Sequence, residues 1–257
     1  MTQAIPKSFE LTNELIDILA SDQTLTEMDF HRYIRKIENL RDFSSRHFMF
    51  ALTHAAYGRV DEALEYFASA MQIAPDEIVA KNYLAFVNKN CDLFEVADLS
   101  AKLSQSFVVP NFYFTAYQSS LFTGRFAKAR QFAELFIKVS ARKEAEKMQH
   151  TIASAEYRLA EFKQLANLTD EQCELIAITA VNVMASYNQH VTSLVFNTVK
   201  EENANTYVLV IKCQDPEIIA NMNMDLAFAL AEHEELYDKN FSAWFQGVEK
   251  ENLDASN

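Results

Sequence analysis

The stretch HFMFALTHAAYGRVDEALEYFASAMQIAP, from His47 to Pro75, decides the fold of this chain. Its apolar residues recur at helical spacing on both sides of Gly58, which permits a left-handed turn between two helices. Ala63 and Ala70 are small enough for helices to approach closely, and Pro75 prevents the second helix from continuing. The stretch therefore predicts a pair of antiparallel helices.

The pattern of this stretch recurs twice further along the chain. A shift of 34 residues and a shift of 66 residues bring small, aromatic and turn residues to matching positions. The matching residues are Ala85, Asp92, Phe94, Ala97 and Ala101 in the second copy, followed by Pro110, and Gly124, Phe126, Ala129, Ala133 and Phe136 in the third. Repetition at a nearly constant period of this size is typical of stacked helical hairpins.

The repeated pattern resembles the tetratricopeptide repeat, a helix–turn–helix unit of about 34 residues, over roughly residues 44–141. The residues that carry the resemblance in the first copy are Ala51, Gly58, Val60, Ala63, Phe67, Ala70 and Pro75. The aromatic residue near the start of the family's first helix is missing from all three copies, and Tyr117 occupies a normally small position. The resemblance implies a regular array of hairpins, and an irregular antiparallel helical array is the alternative.

Helical spacing of apolar residues continues on both sides of the repeats. The segments from Phe9 to Ala20 and from Met28 to Leu40 predict a degenerate first hairpin. The segment from Arg142 to Leu165 is charged with a thin apolar stripe, which is typical of a helix that caps an array. We therefore expect one helical repeat domain over residues 8–167.

A different pattern follows and predicts a small acidic domain over residues 168–250, for which we recognise no family. Thr169 and Gln172 form the signature of a capping box, so we expect a helix over the apolar run from Cys173 to Tyr187. The β-branched segments Val191–Val199 and Tyr207–Cys213 predict a β-hairpin.

Two further helices are expected after the hairpin. Asp215 and Pro216 are a good helix start, and the helix is predicted to run to about Tyr237 with Ile219, Met222, Leu226 and Leu230 as its apolar stripe. A last short helix would present Phe241, Trp244, Phe245 and Val248 on one face. The predicted fold class is therefore mainly α: a tetratricopeptide-like array of antiparallel helical hairpins, then a small α+β domain of α-β-β-α order.

Composition excludes several classes of function. Gly58, Gly124 and Gly247 lie too far apart for a glycine-rich phosphate loop, and the three cysteines and six histidines show no metal-ligand spacing or nucleophile signature. We therefore expect no enzymatic activity, no cofactor and no metal. The apolar runs are too short to span a membrane and no apolar leader follows Met1, so we expect a cytoplasmic protein.

Charge is distributed unevenly along the chain. The formal net charge is −13, and −11 of it falls after residue 167, where 15 acidic residues accompany four lysines and no arginine. Contacts with phosphates need clustered cations, so we expect no direct binding of nucleic acid. Such an acidic surface fits either plain solubility or a basic protein partner.

The resemblance implies a concave groove lined by the first helix of each repeat. The groove residues would be Phe48 and Leu52 from the first repeat, Asn82 and Phe86 from the second, and Phe114 and Gln118 from the third. A mostly apolar groove suits an amphipathic helix or an extended segment of a partner better than a terminal carboxylate. The alternative is that these aromatic residues form interhelical core, and the same choice applies to Trp244 and Phe245 in the last predicted helix.

Three classes of function remain open at this point. The leading hypothesis is a non-enzymatic protein that binds a partner segment in the groove. The alternative is an immunity protein, antitoxin or secretion chaperone that masks a basic effector with Glu217, Asp225, Glu232 and Glu235. The third is an enzyme with a pocket near Asn182, His190 and Lys212.

The predicted hairpin has only two strands, and an exposed strand edge is a site for pairing with another chain. We therefore expect a homodimer through the acidic domain, unless another element of the same chain covers the open edge.

Overall fold

The structure is a computed structural model that describes residues 7–21, 23–40 and 43–248. These residues form eleven α-helices and a small three-stranded sheet near the C-terminal end. The predicted fold class, mainly α with a small α+β end, is confirmed. The chain divides into two compact units, Met1–Glu95 and Val96–Asn257.

The first unit is built from helices that pack on their neighbours. They are α1 (Lys7–Ala20), α2 (Glu27–Glu38), α3 (Phe43–Tyr57), α4 (Val60–Ile73) and α5 (Glu77–Asn90). α3 packs against α1, α2 and α4, and α4 packs against α5. Leu15, Ile37, Met49, Leu52 and Phe67 are completely buried between them and form one apolar core.

The helix boundaries of the first unit follow the turn residues of the repeat. Gly58 lies between α3 and α4 with a φ of 87°, the left-handed conformation that favours glycine. In the second copy, Asp92 stands where the turn glycine is missing. Its Oδ1 accepts a hydrogen bond from the Glu95 N–H at 2.9 Å, so Asp92 caps the next helix instead.

The second unit contains the remaining elements, and the division between the units falls within α6 (Leu93–Ser106). Its helices are α7 (Pro110–Phe122), α8 (Phe126–Val139), α9 (Arg142–Ala166), α10 (Asp170–Ser186) and α11 (Pro216–Ala231). Pro110 is the first residue of α7 and so starts a helix rather than only ending one. The expected capping box of Thr169 and Gln172 begins α10.

The turn between α7 and α8 makes the closest backbone approach of the second unit. Gly124 adopts a φ of 75° in this turn. A Cβ atom at Gly124 would lie 2.8 Å from the Cβ of Ala177 and 2.8 Å from the Cα of Glu174, both on α10. Only glycine permits this contact, so the turn packs directly on the backbone of α10.

The sheet has the order β1 (Val191–Val199), β2 (Ala204–Ile211), β3 (Ser242–Gly247). β1 and β2 form the expected antiparallel hairpin, with Phe196 opposite Tyr207. α9 packs on β1 and β2, and the ring of Phe162 on α9 lies 5.2 Å from that of Phe196. The hairpin therefore shares its core with a helix that precedes it in the chain.

The last predicted helix is wrong, because Ser242–Gly247 forms strand β3 parallel to β2. The alternation of Phe245 with exposed Gln246 fits a period of two as well as it fits a helical stripe. The segment forms a strand because it pairs with the free edge of β2. On the other edge of β3, the side chain of Asn223 on α11 accepts from the Phe245 N–H at 2.6 Å and donates to the Phe245 carbonyl at 3.2 Å.

The predicted end of the preceding helix is also wrong, since α11 ends at Ala231 rather than near Tyr237. A single 3₁₀ turn, Glu234–Leu236, follows instead. His233 Nε2 lies 3.2 Å from the Thr179 hydroxyl on α10, which draws the chain away from the helix axis. Three glutamates at the negative end of the helix dipole also disfavour its continuation.

The domain boundary after residue 167 stays a prediction about independent folding. The division between the two compact units falls within α6 instead, because α9 packs on the sheet as well as on α8.

We predict that Gly124→Ala destabilises the protein more than Gly58→Ala. Both changes place an alanine in a left-handed turn, which costs about 1–2 kcal/mol. At Gly58 a Cβ atom meets nothing within 4 Å, whereas at Gly124 it overlaps α10, which adds about 1–3 kcal/mol. Urea denaturation followed by circular dichroism measures both, and equal losses would show that the contact with α10 is loose.

We predict that Asn223→Ala lowers the free energy of unfolding by about 1–3 kcal/mol, because the N–H and the carbonyl of buried Phe245 both lose their hydrogen bonds to Asn223. Asn221→Ala, an exposed position on the same helix, is the matched control with the same gain in helix propensity. Equal stability of the two variants in chemical denaturation would contradict the role of Asn223.

Candidate functional site

Three of the eight expected partner contacts lie in the core. Phe48, Leu52 and Phe245 are 6%, 0% and 1% exposed. α3 is surrounded by three other helices, so Phe48 and Leu52 face its neighbours. Phe245 lies opposite Leu209 in the sheet, and both are buried. These three side chains have no surface to offer a partner, and they act as core residues.

The other five expected contacts are partly exposed. Asn82 and Phe86 lie one turn apart on α5, and Phe114 and Gln118 lie one turn apart on α7. The Asn82 amide donates to the Ile78 carbonyl of its own helix at 2.8 Å. The ring of Phe86 packs on buried Phe67, and that of Phe114 packs on partly buried Phe136. Trp244 lies beside Val208 in the sheet. Their role in binding stays a prediction.

A more exposed apolar surface lies on α11, on the side opposite the predicted apolar stripe. Met224 is 58% exposed and Phe228 is 68% exposed, although both are large apolar side chains. Ala220, Ala227 and Ala231 are exposed on the same side of the helix. We call these five residues the α11 face. It extends from Ala220 to Ala231, with exposed Asn221 at its edge.

The position of the α11 face follows from how the opposite side of the helix is held. Met222 and Leu226 are completely buried, and α11 packs on both α10 and β3. Asp215 caps the helix through the Glu217 N–H at 2.9 Å, and Asn223 ties its middle to β3. Because α11 is fixed on this side, it cannot rotate to bury Met224 and Phe228.

The segment after α11 extends the apolar surface. Tyr237 is 57% exposed, and its hydroxyl donates to the Ala231 carbonyl at 3.1 Å, which holds the ring at the end of the helix. The intervening residues are attached to α10 through the contact between His233 and Thr179. The aromatic ring therefore lies at a defined place beyond Ala231.

The surroundings of the α11 face are acidic. The charged side chains on or directly after the helix are those of Glu217, Asp225, Glu232, Glu234 and Glu235, and all five residues are exposed. Within the described part of the chain, no lysine, arginine or histidine lies within 4 Å of any of these carboxylates to form an ion pair. α11 itself contains no basic residue. The face is thus apolar with an unneutralised acidic border.

One of the border carboxylates is held in place by a tyrosine. The Tyr187 hydroxyl donates to Asp225 Oδ2 at 2.6 Å. This hydrogen bond to the carboxylate raises the pKa of Tyr187 above its ordinary value. The hydrogen bond fixes the place of the Asp225 carboxylate beside the α11 face.

The sequence did contain a signal for the α11 face. The predicted stripe of Ile219, Met222 and Leu226 is correct for the buried side, yet Met224 and Phe228 make the opposite side apolar too. A helix that only covers a core has a polar outer side, so apolar residues opposite the buried stripe are the signal for this exposed face.

Of the three residues of the enzyme hypothesis, the structure brings two together: the Lys212 N–H donates to the His190 carbonyl at 2.9 Å. Asn182, His190 and Lys212 of the enzyme hypothesis are all exposed. No group of three or more His, Cys, Asp or Glu side chains among the described residues could hold a metal ion. In the same ranges, no helix is both long and apolar enough for a membrane crossing. The cytoplasmic location stays a prediction.

No family model, no curated protein and no solved structure matches this chain. Within each unit, α3 packs on α4, α4 on α5, α7 on α8 and α8 on α9, which is compatible with a helical repeat.

We predict that Phe228→Gln leaves the free energy of unfolding within about 0.5 kcal/mol of the wild type, because the ring is mostly in solvent. Leu226→Ala, two residues away on the buried side, should cost about 2–5 kcal/mol. Thermal and chemical denaturation measure both. A large loss in Phe228→Gln would show that the ring belongs to the core and not to a binding surface.

Proposed function

We propose that this protein is a non-enzymatic interaction protein that binds a partner protein with the α11 face. The observation that supports this most directly is the exposure of Met224 and Phe228 on a helix whose other side is fully packed. Large contiguous apolar surfaces are uncommon on proteins that act alone, and they mark binding sites. Exposed single apolar residues elsewhere on the chain need no such explanation.

The way in which α11 is anchored also supports a binding role. Binding costs less when the surface is already ordered, because fewer side chains and backbone segments must be fixed on association. α11 is held by its N-cap Asp215, by the hydrogen bonds of Asn223 to β3 and by the buried Leu226. The α11 face is therefore a rigid platform rather than a loop that must fold around its partner.

The proposed partner segment contacts α11 through side chains. The backbone groups of a helix are already bonded within the helix, so the α11 face has no free edge to add a strand to. A homodimer through the sheet stays a separate proposal. It would have to use the outer edge of β1, because Asn223 already occupies the outer N–H and carbonyl of Phe245 on β3.

The resemblance to tetratricopeptide repeats supports an interaction protein on a second ground, since such helical arrays present extended surfaces to partners. On this proposal, the half-exposed Asn82, Phe86, Phe114 and Gln118 are additional contact residues.

A second candidate function is neutralisation of a basic effector, as an immunity protein, an antitoxin or a secretion chaperone would perform it. The observation that favours it is the set of acidic residues around α11 that have no ion-pair partner within the described chain. In this function the carboxylates themselves would supply the main attraction, and the apolar face would be secondary.

We predict that Met224→Gln/Phe228→Gln loses the physiological partner. The full-length variant and the wild type are used as bait in extracts of the cells that produce the protein, with quantitative mass spectrometry as the readout. Each lost apolar side chain should weaken binding about tenfold or more. Tyr157→Gln, at a 66%-exposed position on α9, is the matched control.

A protein that the wild type and the control retain and the α11 variant loses supports the proposal once it binds directly in purified form. If the α11 variant retains the same proteins as the wild type, the α11 face is not the binding surface.

A further inference from the structure

We propose that the segment bound by the α11 face is a short amphipathic helix with lysine or arginine residues beside its apolar stripe. This inference rests on the proposed function and adds the chemical class of the partner. It is carried by the charges around the α11 face and by the shape of the face itself.

Two acidic residues, Asp225 and Glu232, are exposed along one flank of α11, where the Tyr187 hydroxyl also donates to Asp225. With 3.6 residues per turn, Asp225 and Glu232 project in nearly the same direction, about 80–100° around the helix from Met224. The opposite flank carries Asn223, which is bonded to β3. A second helix lying along the α11 face would therefore have two carboxylates along one side and the sheet along the other.

The C-terminal end of α11 strengthens this negative field. The unpaired carbonyls at the end of a helix carry partial negative charge, so basic residues usually stabilise the last turn. α11 has none there, and Glu232, Glu234 and Glu235 follow directly. This placement is unfavourable in the free protein. It becomes favourable when a partner brings cations to the end of the helix.

The length and the surface shape of the α11 face match those of a partner helix. From Ala220 to Ala231 the face is about 17 Å long at 1.5 Å per residue, which matches about three turns of a partner helix. The three alanines let a helix axis approach to about 8–10 Å, and Met224 and Phe228 would fill the spaces between its side chains.

Charge also distinguishes this partner from the other occupants of an apolar helix face. A second copy of the chain would bring its own acidic border against Asp225 and Glu232, which like-charge repulsion disfavours. Helices that lie on anionic membranes carry lysine and arginine beside their apolar side, and α11 has neither. A basic helix of another protein satisfies both the apolar and the acidic part of the surface.

The test uses the full chain and two synthetic helical peptides of about 15 residues with the same leucine stripe, one with lysine and one with glutamate at the remaining positions. Fluorescence anisotropy of labelled peptide measures the dissociation constants. The lysine peptide should bind at least about tenfold more tightly than the glutamate peptide, and its affinity should fall as NaCl rises from about 50 to about 500 mM.

Two variants separate the acidic border from the total charge of the protein. Asp225→Asn/Glu232→Gln should weaken binding of the lysine peptide by about three- to tenfold. Glu201→Gln/Glu202→Gln removes the same charge from the exposed turn between β1 and β2 and should change the affinity less than about twofold. Equal effects of the two variants would show non-specific attraction and overturn the inference.

The remaining outcomes separate this inference from the proposed function. Equal binding of both peptides, lost in Met224→Gln/Phe228→Gln, overturns the basic partner and leaves the α11 face as a binding surface. Binding of the lysine peptide that survives in Met224→Gln/Phe228→Gln overturns both. If neither peptide binds, the inference of a basic partner helix is overturned. The same holds if analytical ultracentrifugation shows that the wild type self-associates and that Met224→Gln/Phe228→Gln does not. In both cases the extract experiment still decides the proposed function.

Discussion

The second unit of the protein depends on the contact between the Gly124 turn and the backbone of α10. An alanine at Gly124 would place its Cβ atom 2.8 Å from Ala177 and Glu174, so the approach leaves no room for any side chain. Here the turn between α7 and α8 lies directly on the backbone of α10. α10 in turn carries α11 on its surface and holds the segment after α11 through Thr179 and His233. The Gly124 turn therefore packs on the helix that supports α11.

The exposure of the α11 face is a consequence of this construction. α11 has two neighbours, α10 and β3, and its buried side already fills the space between them with Met222 and Leu226. The apolar residues on its other side are left in water, at a cost of about 25 cal/mol for each Å² of apolar surface. Natural proteins tolerate such a cost where the surface has a use, and the proposed binding of another protein would remove it.

The helices were predicted well because their signals are local in the sequence. The strand and the buried residues that were missed depend on contacts between distant parts of the chain. Gly58 and Thr169 marked boundaries correctly because turn and cap geometry depends on neighbouring residues only. Strand β3 was missed because its partner β2 lies some 35 residues earlier in the chain, and short apolar runs do not tell helix from strand. Phe48 and Leu52 were assigned to a groove because burial depends on neighbours that one helix does not reveal.

The central claim is that α11 is packed through its Met222 side and presents its Met224 side to solvent and to a partner. Methionine oxidation by hydrogen peroxide, read residue by residue with tandem mass spectrometry, tests this directly because the two sulfur atoms are on the same helix and differ only in burial. The account predicts that Met224 oxidises at least about tenfold faster than Met222, at a rate close to that of the 78%-exposed Met28, and that bound partner protects it. Equal rates for Met222 and Met224 in the folded protein would contradict the account.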